Sequence, residues 1–600
     1  MLFALVVVVN PLLRAIGKRL PFSRVELLMI YCMLLFSTLV PGHGAENVFI
    51  PVIVTPFYYA SPENKWEDLF FKYIPDWFAP KDKLTVTHFF EGLPPGQHLP
   101  WRDWCVPLVV WGCFTLVLYA LVLFLSVLFR KQWADREKLS FPLVALPMEM
   151  TAETRHPLRH GAFFGNRAMW IGFGVAVLLQ LQTGLKFYFP QFPGFPLQYD
   201  FSQAFREPPW NSVGWVPGFI YPMVVGTSVI LRQEVSLSLW FFFWFTKVEH
   251  IVAALIGVKG VQDQTTWGEP GWLGNQPVGG YIAYVLLSFW TARRHFAAVY
   301  QRAIRGQGDP GDSGEAMSYR VCFIGALICV GLLTGFCMIA GMTFPVALSQ
   351  ILIYIVLAVA LTKVVAESGL LFVQATLSAT ELMILPFGTA AIGPRNLTVA
   401  MYIERSFMTD LRAFIMPSYM QSLKIADLTR INKARLVGWC SVAVLLSTIV
   451  CYWMNLKLVY AYGGMKCNSW FVQGAGPGGF RMLQSYLMSP RHASLTGMVS
   501  LGAGAGFTLL LFALRQRFAW FQFHPVGFVM MQTYPLKCLW FSVFLGWLMK
   551  SVILRYGGPK GLLGATPLFL GLVFGDVFMM VVWLIMDAIC GTHGHFLMPG

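Results

Sequence analysis

Residues 105–129 read CVPLVVWGCFTLVLYALVLFLSVLF, without one charge, and then come Arg130-Lys131. A helix rises ~1.5 Å per residue, so ~20 apolar residues cross a bilayer core of ~30 Å. This stretch is long enough for a membrane span that leaves its cations at one surface. The same event recurs along the chain. Val321–Thr362 is uncharged and divided by a Gly341–Pro345 break, and Ala493–Leu514 ends at Arg515 and Arg517. One soluble core could not hold so many uncharged runs, and the chain reads as a polytopic membrane protein.

Composition agrees. The 600 residues are 56% hydrophobic and 12% charged, where soluble proteins have ~25% charged residues. Mean hydropathy is +0.60. A net charge of +15 would suggest nucleic acid in a soluble protein, but here Lys and Arg sit in short loops between spans and act as topology determinants. Nucleic-acid binding is therefore rejected. The eleven cysteines form no CxxC pair, which gives no zinc or redox motif, and Cys105 and Cys467 either pair or stay free. Met1–Leu13 lacks a basic start and a cleavage site, so no cleavable signal is expected.

Predicted spans cover 1–17, 25–42, 105–129, 167–187, 213–231, 236–257, 276–292, 320–341, 345–367, 435–456, 494–514, 535–554 and 563–589. The segments 141–150, 371–394 and 519–532 are apolar but short or broken, as re-entrant helices are. The fold class is all-α, a transmembrane helical bundle of about 12–16 membrane segments with broken helices. Basic loops around Arg14–Arg24, Arg130–Arg159 and Arg293–Arg320 face the cytoplasm. The loops 43–104, 188–212, 258–275 and 457–492 face outward, the first as a folded cap rich in Trp, Phe and Tyr. The predicted organisation is a membrane half over 1–292, a cytoplasmic linker over 293–319 and a second half over 320–600. An internal echo supports a repeat. Arg130-Lys131-Gln132-Trp133 leads to Phe141-Pro142, and Arg515-Gln516-Arg517-Phe518 leads to Phe523-His524-Pro525-Val526-Gly527. In transporters, such repeats place broken helices beside the substrate.

Arg136-Glu137-Lys138-Leu139-Ser140-Phe141-Pro142 resembles the Glu–x–Leu–x–Phe/Tyr–Pro element of the oligopeptide transporter superfamily. Gly571-Leu572-Val573-Phe574-Gly575-Asp576 is similar to its glycine-rich last helix, and Val365-Ala366-Glu367-Ser368-Gly369-Leu370 resembles a related bacterial branch. The resemblance implies a carrier of a peptide-like or metal-chelate-like solute.

Intramembrane charge is the sharpest residue signal, because a carboxylate at mid-bilayer is costly and usually faces a bundle interior or a cavity. Asp576 is a candidate proton or cation site, or else a partner for Lys550, Arg555 or Lys560; Asp587 shares its face. Glu367 either pairs with Lys363 four residues before it or stands at a half-helix end broken by Gly369. Glu137 is a gate acid or a loop charge. Glu46 and Asn47, after a Gly-rich turn, contact substrate or belong to the turn. Lys247 and His250 share a helix face and line a polar cavity. Pro142, Gly369, Pro525 and Gly527 mark the broken helices.

No HExxH, GxSxG, P-loop or SxxK motif occurs, so no enzyme activity, metal or cofactor is expected. The expectation is a secondary transporter in a bacterial inner membrane, coupled to protons and working by alternating access. The alternative is a scaffold subunit of a larger membrane complex. Expected partners are the lipid bilayer, a small-molecule substrate, and either further copies of the chain or other subunits.

Overall fold

The computed structural model describes residues 1–17, 20–42, 45–152, 163–257, 270–305, 314–370, 372–408, 414–467, 470–592 and 595. Among these, seven helices are long and apolar enough to cross a membrane: Trp101–Arg136, Arg167–Tyr188, Tyr319–Ile339, Phe344–Ser368, Lys433–Tyr462, Leu495–Arg517 and Tyr534–Cys590. Gln233–Leu255 and Gly271–Thr291 match them in length but carry more polar side chains. Large apolar side chains point outward from these helices, with Leu178 66% and Ile339 76% exposed. Such an apolar exterior fits lipid and not water. The architecture is the all-α polytopic bundle that hydropathy predicts.

Tyr534–Cys590 is two limbs in one. Gly558 has φ 60° and ψ −166°, outside the helical region, and Pro559 follows it. The chain reverses there. Ser542 of the first limb and Asp576 of the second accept hydrogen bonds from Tyr221 N–H and Met223 N–H, two residues apart at the start of one short helix.

Close helix pairs rest on glycine. A Cβ on Gly172 would lie 1.9 Å from Leu568 O, and one on Gly571 2.0 Å from Met169 O. The pair Gly271–Thr291 and Leu495–Arg517 repeats the device: a Cβ on Gly279 would lie 1.9 Å from Leu501 O, and one on Gly504 2.0 Å from Gln276 O. Lipid tails are as apolar as Leu, so helices in a bilayer associate by van der Waals contact, which small residues permit.

One predicted span comes out differently, and two other predicted segments gain detail. The span over 213–231 is not a full crossing. Pro217–Phe219 is a strand paired with Gln198–Asp200, and the helix Pro222–Ile230 has nine residues, about 13 Å long. Proline lacks the N–H that a helix interior uses but is well placed in a first turn, where the helix here begins at Pro222. Within 43–104, Ala45–Tyr59 is a buried apolar helix in spite of Pro51 and Pro56, with Phe49, Ile50, Val52 and Ile53 at 0% exposure. The segment 371–394 is broken as expected: helix starts at Ala379 and is interrupted at Gly388. Before it, the described residues among 369–378 form no helix, yet Val373–Ser378 are buried. Unpaired backbone at membrane depth is tolerated where protein surrounds it. Tyr281 OH donates to Gln374 O at 3.4 Å, and Thr376 Oγ1 to Gly274 O at 2.9 Å.

The basic face of the bundle is tied by one cation. Arg130, 4% exposed, meets Asp135 at 3.0 Å, Glu315 at 2.5 Å and Asp427 at 2.7 Å. Lys433 adds a bond to Asp427 at 2.6 Å. Cys105 and Cys467 are both free thiols.

Candidate functional site

Phe344–Ser368 ends at Gly369, whose φ of 56° suits a glycine helix cap. The two echoing corners of the chain both arrive there. After the first corner, Phe141 N–H donates to Ala366 O at 2.9 Å, and a Cβ on Gly369 would lie 2.9 Å from Pro142 Cβ. Pro142 opens the short helical pieces Pro142–Val144 and Ala145–Met150. After the second corner, Pro525 opens the helix Pro525–Met530, and Gly527 lets it close on Ser238 O. Met530 reaches the interrupted segment, since Tyr281 OH touches both Met530 S and Gln374 O. The broken segments predicted at 141–150, 371–394 and 519–532 thus converge on the end of one helix.

Glu367 sits at that point, its side chain 13% exposed. Tyr284 OH donates to its Oε2. His524 Nε2 lies 3.7 Å from the same carboxylate. The ring is oriented from behind: Val526 N–H donates to His524 Nδ1 at 3.2 Å, so in the neutral imidazole the proton sits on Nε2 and faces Glu367. Lys363, one turn before Glu367, reaches across to Glu137 at 2.9 Å, to Ser288 Oγ at 2.9 Å, and over the Tyr284 ring at 5.1 Å. Gln132 Nε2 donates to Glu137 at 2.9 Å. A continuous polar chain therefore runs from Gln132 and Glu137 through Lys363 and Tyr284 to Glu367 and His524, inside an otherwise apolar bundle. Its hydroxyl, imidazole and carboxylates can hold a proton at more than one position. Nearby, Arg515 pairs with Glu234 at 2.5 Å, anchoring the end of Leu495–Arg517.

Asp576 lies apart from this chain. It is fully buried, and its two oxygens accept from Gln180 Nε2 at 2.5 Å and Met223 N–H at 2.7 Å. Met223 is in the first turn of Pro222–Ile230. At the other end of the same helix, Lys550 Nζ donates to Leu231 O. Asp576 and Lys550 are therefore not partners of each other. One limb places an anion at the helix N-terminus and the other a cation at its C-terminus, each facing the opposite end of the helix dipole. Asp587 accepts from Tyr188 OH at 2.5 Å and meets His595 at 3.1 Å.

The remaining sequence candidates have local work. Lys247 Nζ donates to Val213 O at 3.0 Å and Trp215 O at 2.8 Å, fastening the approach to the half-helix. His250 lies one turn further on, half-buried. Asn47 Nδ2 donates to Pro41 O and Gly42 O, and its Oδ1 accepts from Asn455 Nδ2 at 3.0 Å, which staples the Gly-rich turn. The side chain of Glu46 lies outside the described residues. Among the described residues, no group of three or more His, Cys, Asp or Glu side chains could hold a metal ion.

Sequence reasoning passed over Tyr284, His524, Glu381 and Glu404. Tyr284 and His524 carry no signal beyond a polar atom in an apolar run. Glu381 follows Ser378 by three residues, a capping-box spacing that could have marked a helix start inside 371–394. Glu404, 0% exposed in Pro394–Phe407, accepts from Thr380 N–H at 2.9 Å.

No curated protein matches the chain. Residues 1–599 match one protein family, described as a family of unknown function (DUF6785), and the chain belongs to that family.

Proposed function

We propose that the protein is a secondary active transporter of a small solute, working by alternating access and driven by protons in a bacterial inner membrane. One observation carries the reading: helices broken at Pro142, Gly369 and Pro525 meet at a polar chain centred on Glu367, beside buried non-helical backbone. Broken helices at a repeat interface are the arrangement from which carriers build sites. Coupling is assigned to Glu367, which has a hydroxyl donor on one side and an imidazole on the other. Asp576 serves the half-helix. A peptide-like or chelate-like solute follows from the resemblance to the oligopeptide transporter superfamily, and the protein catalyses no covalent chemistry.

The test is uptake into reconstituted vesicles with an imposed pH gradient, screening peptides and metal chelates. The parent chain accumulates a solute only with the gradient, while Glu367→Gln exchanges it without accumulating it. Gradient-driven accumulation by Glu367→Gln at the parent rate removes Glu367 from coupling. One feature favours the scaffold alternative. The gap between Phe141, Val365, Ala366 and Met420 has no room for a water molecule. A scaffold moves no solute in any arm of the screen.

A further inference from the structure

The break in Ala379–Ile392 does more than end a helix. Pro386 and Gly388, the latter with φ 74° and ψ 168°, free backbone groups that a later segment takes up. Thr389 N–H donates to Arg491 O at 2.9 Å, Ser494 N–H to Leu385 O at 2.9 Å, and Arg491 N–H to Thr389 Oγ1 at 2.9 Å. These bonds fix residues 491–494 against the break and aim the Arg491 side chain inward. Its guanidinium lies over the Tyr486 ring at 5.0 Å.

Arg491 and Tyr486 line a narrow cavity with Asn275, Glu381, His492 and Ser494. The cavity holds about 40 Å³, enough for a few waters or the head of a small ion. Tyr486 is 1% exposed, and its hydroxyl has no hydrogen-bond partner. A buried hydroxyl without a partner costs stability and leaves a donor that a bound group can satisfy. Glu381 puts a carboxylate in the same lining. Ser378 N–H donates to its Oε2 at 3.0 Å at a helix N-terminus, where the dipole offsets its charge. Arg491, among the described residues, makes no ion pair. The Tyr486 hydroxyl and the Arg491 guanidinium are both donors, so the group that fits between these two is an anionic acceptor.

We infer that this cavity binds the oxyanion head of a small soluble solute, a carboxylate or a phosphate, between the Arg491 guanidinium and the Tyr486 hydroxyl. Guanidinium presents paired N–H donors that match two oxyanion oxygens, and the phenol adds a third donor from the side. The cavity lies where the predicted outer loop 457–492 meets the bundle, so the head enters from the outer face. The inference rests on the transport reading for its purpose, and its chemistry can be measured without transport.

The experiment uses the full chain in phosphatidylcholine vesicles and an arginine reagent, phenylglyoxal, added outside. The modification of Arg491 is followed by peptide mass spectrometry. Succinate and inorganic phosphate are the probes, each titrated to millimolar concentration. We expect Arg491 to react from outside and one probe to slow it at least tenfold. Tyr486→Phe keeps the ring under the guanidinium and loses one donor, so about tenfold more probe is then needed for the same protection. An Arg491 that does not react, or that reacts equally with and without both probes, overturns the proposal. Protection seen only when phosphatidylglycerol is added to the vesicles assigns the oxyanion to a lipid headgroup and overturns the soluble solute. Protection in a chain that transports nothing keeps this site and sinks the transporter. Proton-driven uptake without protection does the reverse.

Discussion

Replacing Asp576 with Ala tests whether a carboxylate buried inside the bundle acts as a cap. The substitution strips the acceptor from two buried donors, Gln180 Nε2 and Met223 N–H. A buried donor left without a partner costs about 1–3 kcal/mol, which gives a gross loss of about 2–6 kcal/mol. Removing the anion from the helix N-terminus adds up to about 2 kcal/mol. Against this, a buried carboxylate is itself costly to desolvate, by several kcal/mol in a bilayer. The net expected loss is about 2–4 kcal/mol. Asn keeps one acceptor oxygen, so Asp576→Asn loses about half as much. Both are read by titrating sodium dodecyl sulfate into detergent-solubilised protein and following tryptophan fluorescence, with hydrogen exchange at Met223 as the local probe. An alanine variant within ~0.5 kcal/mol of the parent, the range of an ordinary surface substitution, would refute the capping argument.

Two further outcomes follow from the same packing. Lys363→Met and Glu137→Gln each strand a part-buried charge, so the double variant should lose less than the sum of the singles, by at least ~1 kcal/mol in a double-mutant cycle; additive losses mean the two do not act as a pair. Gly504→Leu places side-chain atoms where Gln276 O already lies 2.0 Å from the Cβ position, while Gly506→Leu, on the same helix, meets nothing within 4 Å. The first should drastically lower the yield of folded chain in gel filtration, and the second should not; equal yields refute the close approach of the two helices.

The long helices were legible because an uncharged run of ~20 residues has few fates other than a span. What misled the reading was local chemistry inside apolar runs. Hydropathy over 213–231 cannot tell a full span from a strand and a half-helix, and the distinction lies in Pro217 and Pro222. Within the predicted cap, nothing in the pattern marked Ala45–Tyr59 as one helix, since it carries Pro51 and Pro56 in its interior. The acids at 137, 367 and 576 stood out as intramembrane charge, but their partners did not. Lys363 stands four residues from Glu367, and the spacing rule directs it there; only tertiary packing brings Glu137 within 2.9 Å. Asp576 and Lys550 suggested mutual neutralisation, and they serve opposite ends of one helix. Arg491 and Tyr486 lay in a loop, where no periodicity points inward.

Arg130 sets a timetable for the making of this chain. Its partners Glu315 and Asp427 come 185 and 297 residues later. At a synthesis rate of ~5–20 residues per second, the guanidinium waits roughly 9–37 s for Glu315 and roughly 15–60 s for Asp427, with Asp135 as its first partner. During that interval the first-made helices stand with this fastening undone. Translation of the acid at 427 closes it, so a product that stops short of that residue lacks the Arg130–Asp427 tie.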